Sequence, residues 1–319
     1  MTNEKSSLDV QTGQKKWWGY VAGGAVAAGV LLIPSLMAWV FLHPPRRHHG
    51  KNPRTAHGIA FERVRLRAGD GVRLSGWYVP PPDTVPTRGV AIICHGYWGN
   101  RGFMLPHLGF LHRAGYACLM FDFRAHGWSG GYRTTFGITE PLDLDAAIDW
   151  VKANPELSDL PLAVVSESMG AAVTIMVAAR DTRIEAVVAD SAFARFDGAI
   201  QTRMASLFGD RLAGVLAPPA QGVGERILGR GTQSIAPVEA VGKLSPRRLF
   251  LLQGSADEVV PPGSLQALQD AADPDCTEVW QVPGTKHVQA IYSHEGEYAA
   301  RVVAFLDDAL PPAPKRDAA

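Results

Sequence analysis

Serine, aspartate and histidine occur in this chain in an order and setting suited to acyl transfer. Leu162-Ala-Val-Val-Ser166-Glu167-Ser168-Met169-Gly170-Ala-Ala passes from a β-branched apolar stretch through a tight turn into small, helix-forming residues. That layout lifts a Ser Oγ off the end of a strand and sets it beside a helix N-terminus, as in a nucleophile elbow. A serine hydroxyl is a weak nucleophile at neutral pH, so it needs an adjacent base, and the base needs an orienting acid. Two runs downstream supply them. Leu249-Phe-Leu-Leu-Gln-Gly254-Ser-Ala-Asp257 reads as a strand leading to an aspartate, and Val279-Trp-Gln-Val-Pro-Gly284-Thr-Lys-His287 as a strand leading to a histidine. Ser168, Asp257 and His287 are therefore expected as nucleophile, acid and base. Each leaves the carboxyl end of a strand, where ligands bind in open α/β sheets. Asp190, ending Val187-Val-Ala-Asp190, is an alternative acid, and His294 an alternative base; Glu258 is expected to face solvent.

A tetrahedral intermediate also needs hydrogen-bond donors for its oxyanion. Ile92-Ile-Cys-His95-Gly96-Tyr97-Trp98 is a strand ending in His-Gly, after which the main-chain N–H of Tyr97 can point into the site beside that of Met169. His95 is expected to brace the neighbouring loops; a role as a second base is the alternative.

Positioning these residues requires a sheet. From Ile59 onward strand and helix patterns alternate, which argues a mostly parallel sheet with helices on both faces. Residues 61–67 alternate with period two, and Gly69-Asp-Gly71 turns them into 72–79, a hairpin. Apolar runs at 90–94, 117–121, 162–165, 186–189, 249–252 and 279–282 read as strands buried on both faces. Helices are expected over 105–114, 141–153, 169–179, 263–272 and 293–310. From about 195 to 245, Gly and Pro interrupt helical pieces, which reads as a small cap inserted between the sixth and seventh strands.

The chain has 319 residues, 46% hydrophobic and 19% charged, with a formal net charge of zero. This fits one globular domain plus an appendage, and scattered basic residues give nucleic-acid binding no electrostatic support. Cys94, Cys118 and Cys276 are too few and too apolar in setting for a disulfide framework, and no metal-ligand spacing occurs. No cofactor or metal is expected.

The appendage is residues 17–42, 26 positions without a charge. As a helix at ~1.5 Å per residue it would span roughly 39 Å, more than the ~30 Å hydrocarbon core of a bilayer. Trp17, Trp18 and Tyr20 open it and Trp39 and Phe41 close it, as interfacial aromatics would. A cleaved signal peptide is the rival, but the run is too long, its lead-in is residues 1–16, and no Ala-x-Ala site follows. The chain thus divides into a tail (1–16), a single-pass transmembrane anchor (17–42), a linker (43–58), a folded body (59–310) and a second tail (311–319). Lys5, Lys15 and Lys16 precede the anchor, and Arg46, Arg47, Lys51 and Arg54 follow it, which tips the body towards the cytoplasmic face.

Over residues of about 60–310 the chain resembles the α/β-hydrolase superfamily. Cys94-His-Gly-Tyr-Trp-Gly-Asn-Arg101, Phe121-Asp-Phe-Arg-Ala-His-Gly-Trp-Ser-Gly130 and Gln253-Gly-Ser-Ala-Asp-Glu-Val-Val-Pro261 are similar to segments of its Bem46-like and acyl-peptidase-related serine hydrolases. The resemblance implies an eight-stranded, mostly parallel sheet and a cofactor-free Ser-His-Asp mechanism. It also implies Ser168, Asp257 and His287 in those roles, with Tyr97 and Met169 as oxyanion donors. Two departures stand out: Ser166 replaces the first Gly of the elbow, and Ala125 replaces a Gly common after the fourth strand. The expected substrate is a small-molecule or lipid carboxylic ester or related acyl compound. Peptidase action and a non-catalytic membrane scaffold are the competing expectations.

Overall fold

The computed structural model describes residues 32–311, and its strands are β1 (Glu62–Arg67), β2 (Arg73–Val79), β3 (Gly89–Cys94), β4 (Tyr116–Phe121), β5 (Leu162–Glu167), β6 (Ala186–Asp190), β7 (Arg248–Gly254) and β8 (Thr277–Val282). They form one eight-stranded sheet in the order β1-β2-β4-β3-β5-β6-β7-β8. β1 pairs antiparallel with β2, and β2 antiparallel with β4. From β4 across to β8 every pairing is parallel. The mostly parallel α/β sheet expected from the alternating pattern is the one that forms.

The helices are α1 (residues 32–42), α2 (Pro53–His57), α3 (Leu105–Arg113), α4 (Pro141–Ala153), α5 (Met169–Ala178), α6 (Phe196–Phe208), α7 (Asp210–Leu228), α8 (Pro237–Ala240), α9 (Ser264–Ala271), α10 (Ala290–Ser293) and α11 (Glu295–Ala309). The period-two geometry of the strands divides the core between the two faces. Val90, Ile92 and Cys94 pack with α4, α5 and α9, whereas Ala91 and Ile93 pack with α3 and α11. Each side chain such as Ile92, Ile93 or Leu108, fully buried here, contributes about 1.5–3 kcal/mol of apolar burial. The central strands therefore have no solvent-facing side, which is why they read as unbroken apolar runs.

One local reading is corrected and two are extended. β8 is the edge strand: Trp280 and Val282 are buried while Glu278, Val279 and Gln281 are exposed, so the run 279–282 is not covered on both faces. The last expected helix forms as α11, and a short separate turn, α10, precedes it, divided from it at His294, whose φ is −134°. Between β6 and β7, the Gly- and Pro-rich stretch forms a 19-residue helix, α7, with Pro218 and Pro219 inside it. Ala213, Ala217 and Ala220 make one small buried stripe on that helix. Packing of the stripe against α6 holds the helix although each proline removes a backbone donor.

α1 is docked on the body. Pro34, Ala38 and Leu42 are buried at helical spacing, while Leu32, Ile33, Leu36, Trp39 and Val40 face outward. Most of the apolar run 17–42 lies outside the described residues, and among the described residues no helix is long and apolar enough to cross a membrane.

Candidate active site

Ser168 sits between β5 and α5 with φ 52° and ψ −117°, a left-handed backbone uncommon for a residue with a side chain. Such strain persists only where its surroundings enforce it. Here they do. The Ser168 N–H donates to the Asp190 carbonyl at 2.8 Å, and its own carbonyl accepts the Ala172 N–H at 3.0 Å. Gly170 has no room for a side chain: a Cβ there would lie 2.6 Å from the His95 carbonyl oxygen and 2.9 Å from that of Cys94. Ser166 fits where the elbow usually has Gly because its hydroxyl donates sideways to the Val188 carbonyl at 2.9 Å.

His287 Nε2 lies 2.9 Å from Ser168 Oγ, and its Nδ1 lies 2.8 Å from Asp257 Oδ2. With Nδ1–H donating to the carboxylate, Nε2 is left as the acceptor for the serine proton. The second Asp257 oxygen accepts the N–H groups of Val259 (2.8 Å) and Val260 (3.1 Å). Burial alone would raise the Asp257 carboxyl, but the His287 hydrogen bond and charge and these N–H groups hold it below its ordinary value. The loops carrying the two residues are fastened together. Ser255 N–H donates to Val282 O, Ala256 N–H to Thr285 O and Gly284 N–H to Ser255 Oγ, at 2.8, 2.9 and 2.8 Å. Only glycine fits at 254, because a Cβ would come 2.0 Å from the Thr285 carbonyl oxygen.

The His95-Gly96-Tyr97 turn abuts the serine, since a Cβ on Gly96 would lie 2.9 Å from Ser168 Cβ. Among the described residues the Tyr97 N–H enters no backbone hydrogen bond. The Met169 N–H, at the first position of α5, is one of the helix's unpaired donors. Both therefore stand beside Ser168 with a free N–H. His95 braces the loops: its Nδ1 lies 2.7 Å from Gly96 O and its Nε2 accepts the Phe123 N–H at 3.0 Å. Burial lowers its pKa to about 4. The side chains of Asp190 and His294 are engaged away from the serine hydroxyl. Asp190 accepts from the Ser191 hydroxyl at 2.8 Å, His294 Nδ1 meets Ser293 Oγ at 2.9 Å, and Glu258 is exposed.

Sequence reasoning missed the polar cluster behind the elbow. Glu167 is buried with His107 Nε2 at 3.5 Å, and that nitrogen is 3.1 Å from the Tyr298 hydroxyl. Burial, then the neighbouring Asp190, pushes the Glu167 carboxyl well above its ordinary value, and burial lowers His107 to about 3. The only sequence signal was a glutamate in an otherwise uncharged elbow. Also missed was the packing of Asp122, which accepts the N–H groups of Arg101 and Trp128, both at 2.8 Å, and pairs with the Arg101 guanidinium. It locks the loop after β4 against the one after β3. Ala125, in that first loop, has φ 60°, which explains why glycine is the common residue there. Among the described residues no cluster of three or more His, Cys, Asp or Glu side chains could hold a metal ion.

Known proteins bear on this geometry. Residues 85–236 match the family profile of serine aminopeptidase, S33. The chain is 28% identical to the uncharacterized protein YfhR of Escherichia coli K12, over 90% of this chain and 93% of that protein. It is 26% identical to the alpha/beta hydrolase domain-containing protein WAV2 of Arabidopsis thaliana, over 93% and 96% of the two chains. Among solved structures, the Pyrococcus furiosus esterase Pf2001 superposes with a TM-score of 0.71 at 30% identity, covering 85% of this chain and 99% of that one. A sheet of this order, an elbow of this geometry and relatives aligned over nearly their whole length make this chain a member of the α/β-hydrolase superfamily.

Proposed function

We propose that this hydrolase is a membrane-anchored serine esterase acting on a carboxylic ester or related acyl bond, of the Bem46-like kind. The observation that carries the reading is the hydrogen-bonded line from Ser168 Oγ through His287 to Asp257. Ser168 Oγ attacks the acyl carbonyl as His287 Nε2 takes its proton, and a tetrahedral intermediate forms whose oxyanion accepts from the N–H groups of Tyr97 and Met169. His287 then protonates the departing alkoxide as the C–O bond breaks, leaving an acyl-serine. A water, deprotonated by His287, attacks the acyl carbon; the acid departs and Ser168 recovers its proton. Asp257 holds the imidazole tautomer throughout and supports its positive charge.

An apolar seam supports an acyl substrate. Phe41, Phe136, Phe196, Ile200 and Met204 surround a narrow space of about 50 Å³ between α1 and the α6–α7 pair. Phe136 packs its ring 4.6 Å from that of Tyr97, next to the expected oxyanion donor. The esterase Pf2001 is the neighbour that favours ester over peptide cleavage. Anchoring through the run 17–42, by its part ahead of the residues docked on the body, with the body on the cytoplasmic face, rests on the absence of charge there and the basic residues after it.

The test is labelling of the full chain in neutral detergent with a fluorophosphonate, beside Ser168→Ala, followed by turnover of p-nitrophenyl esters against aminoacyl-anilides. Labelling lost in the variant, with esters preferred, supports the reading. Unlabelled, folded wild-type protein would replace it with a non-catalytic scaffold, and preference for anilides with a peptidase.

A further inference from the structure

β1 is an edge strand, and the face it shares with Trp77 and Ser75 carries Arg63 and Arg65 directly opposite them. Among the described residues no helix covers those arginines, and both are exposed. Instead the linker passes alongside, and between linker and strand lies a groove of about 910 Å³. His49, Lys51, Arg63, Arg65, Arg101 and Trp128 are among its lining residues, and no carboxylate is. Lys51, Arg63 and Arg65 make no ion pair among the described residues. Arg101 is 6% exposed, and its Nε has no hydrogen-bond partner although its Nη1 reaches Asp122 and the Ser75 carbonyl. Charge on an edge strand deters unwanted pairing, but either sign would do that. Cations gathered around a groove whose lining holds no carboxylate, with Lys51, Arg63 and Arg65 outside any ion pair, are instead complementary to an anion.

The surroundings identify which anion. Trp128 at the groove is 68% exposed and its ring lies 4.2 Å from that of His48. Tyr132, 71% exposed, stacks with His43 at 5.9 Å, and His43 stacks with Trp39 at 4.7 Å. Exposed aromatics thus run from the end of α1, whose outer face is Leu32, Ile33, Leu36 and Val40, to the cationic groove. Apolar side chains, then indole and phenol rings, then Lys and Arg is the succession found from acyl chains to headgroups at a bilayer surface. We propose that the groove between the linker and β1 binds the phosphate headgroup of an anionic phospholipid. The lipid's acyl chains lie towards α1, and its phosphate sits among Lys51, Arg63 and Arg65. This seats the body against the membrane on its β1 side.

The experiment is calorimetric titration of the full chain in neutral detergent with short-chain phosphatidylglycerol, short-chain phosphatidylcholine and inorganic phosphate. Saturable phosphatidylglycerol binding is expected, at least tenfold tighter than phosphatidylcholine or phosphate binding. Lys51→Gln combined with Arg63→Gln and Arg65→Gln should weaken it roughly a hundredfold at an unchanged thermal midpoint. Arg65→Gln alone should weaken it about fivefold, which serves if the triple variant fails to fold. The exposed cap pair Arg226→Gln with Arg230→Gln should leave it unaltered. Equal affinity for the two lipids, or an affinity the groove variants do not change, overturns the proposal. Phosphate binding as tightly as phosphatidylglycerol overturns it too and makes the groove a site for the free anion. Binding is read without turnover, so a failure of the esterase reading leaves this result standing.

Discussion

The phenol of Tyr97 donates to the carbonyl of Phe41 at 2.8 Å, tying the turn beside Ser168 to the end of α1. One residue on, the Leu42 carbonyl accepts the Thr134 N–H at 2.8 Å, and the Thr134 hydroxyl lies 3.6 Å from the Met169 sulfur. Both residues expected to supply oxyanion donors are therefore braced by the segment that leads in from the N-terminal side. Tyr97→Phe keeps the main-chain N–H but orphans the Phe41 carbonyl, so stability should fall by about 1–3 kcal/mol. Ester kcat should fall more than KM rises. Denaturant titration and steady-state kinetics check this, and unchanged stability would mean that α1 does not brace the turn.

Asp257→Asn should lower ester kcat by about 10⁴-fold, because an amide favours the wrong imidazole tautomer and leaves its positive charge unsupported. Asp190→Asn should leave kcat within a few-fold. The reverse ranking would make Asp190 the working acid.

Asp190 also predicts a pH dependence of stability. Burial raises its carboxyl from 3.8 to about 6, against the opposing Ser191 hydroxyl and His287 charge. The folded protein thus holds this proton after the unfolded chain has released it. The associated stability is fully present below about pH 4 and lost as pH rises through 6. Wild type should lose on the order of 3 kcal/mol relative to Asp190→Asn across that window. Parallel stability–pH curves for the two proteins would contradict it.

Gly170→Ala forces a methyl group towards the carbonyl oxygens of His95 and Cys94, at 2.6 and 2.9 Å. Backbone on both sides cannot rotate away, so α5 must shift from β3. A stability loss of about 1–3 kcal/mol is expected, with a larger fall in fluorophosphonate labelling rate than in stability.

Ile200→Ala widens the apolar seam beneath the cap. If the acyl chain enters there, turnover of octanoyl relative to butanoyl esters should rise several-fold. An unchanged ratio places the chain elsewhere.

By itself the amino-acid order determined the sheet. Strands covered on both faces must be apolar throughout, so β3 to β7 could be read directly, and the hairpin of β1 and β2 followed from period two and a Gly-Asp-Gly turn. It also named the serine, aspartate and histidine that lie together, because each follows the carboxyl end of a strand and parallel strands deliver those ends to one edge of the sheet. What the sequence could not contain is contact between distant segments. The straps from Phe41 to Tyr97 and from Asp122 to the Arg101 loop join residues by side-chain reach and leave no periodic mark. The α6–α7 pair was obscured because local Gly and Pro propensity opposes helix, while packing against a neighbour decides for it. The cationic groove is tertiary for the same reason: Lys51 and Arg65 share a face only once β1 is placed at the sheet edge and the linker is laid beside it.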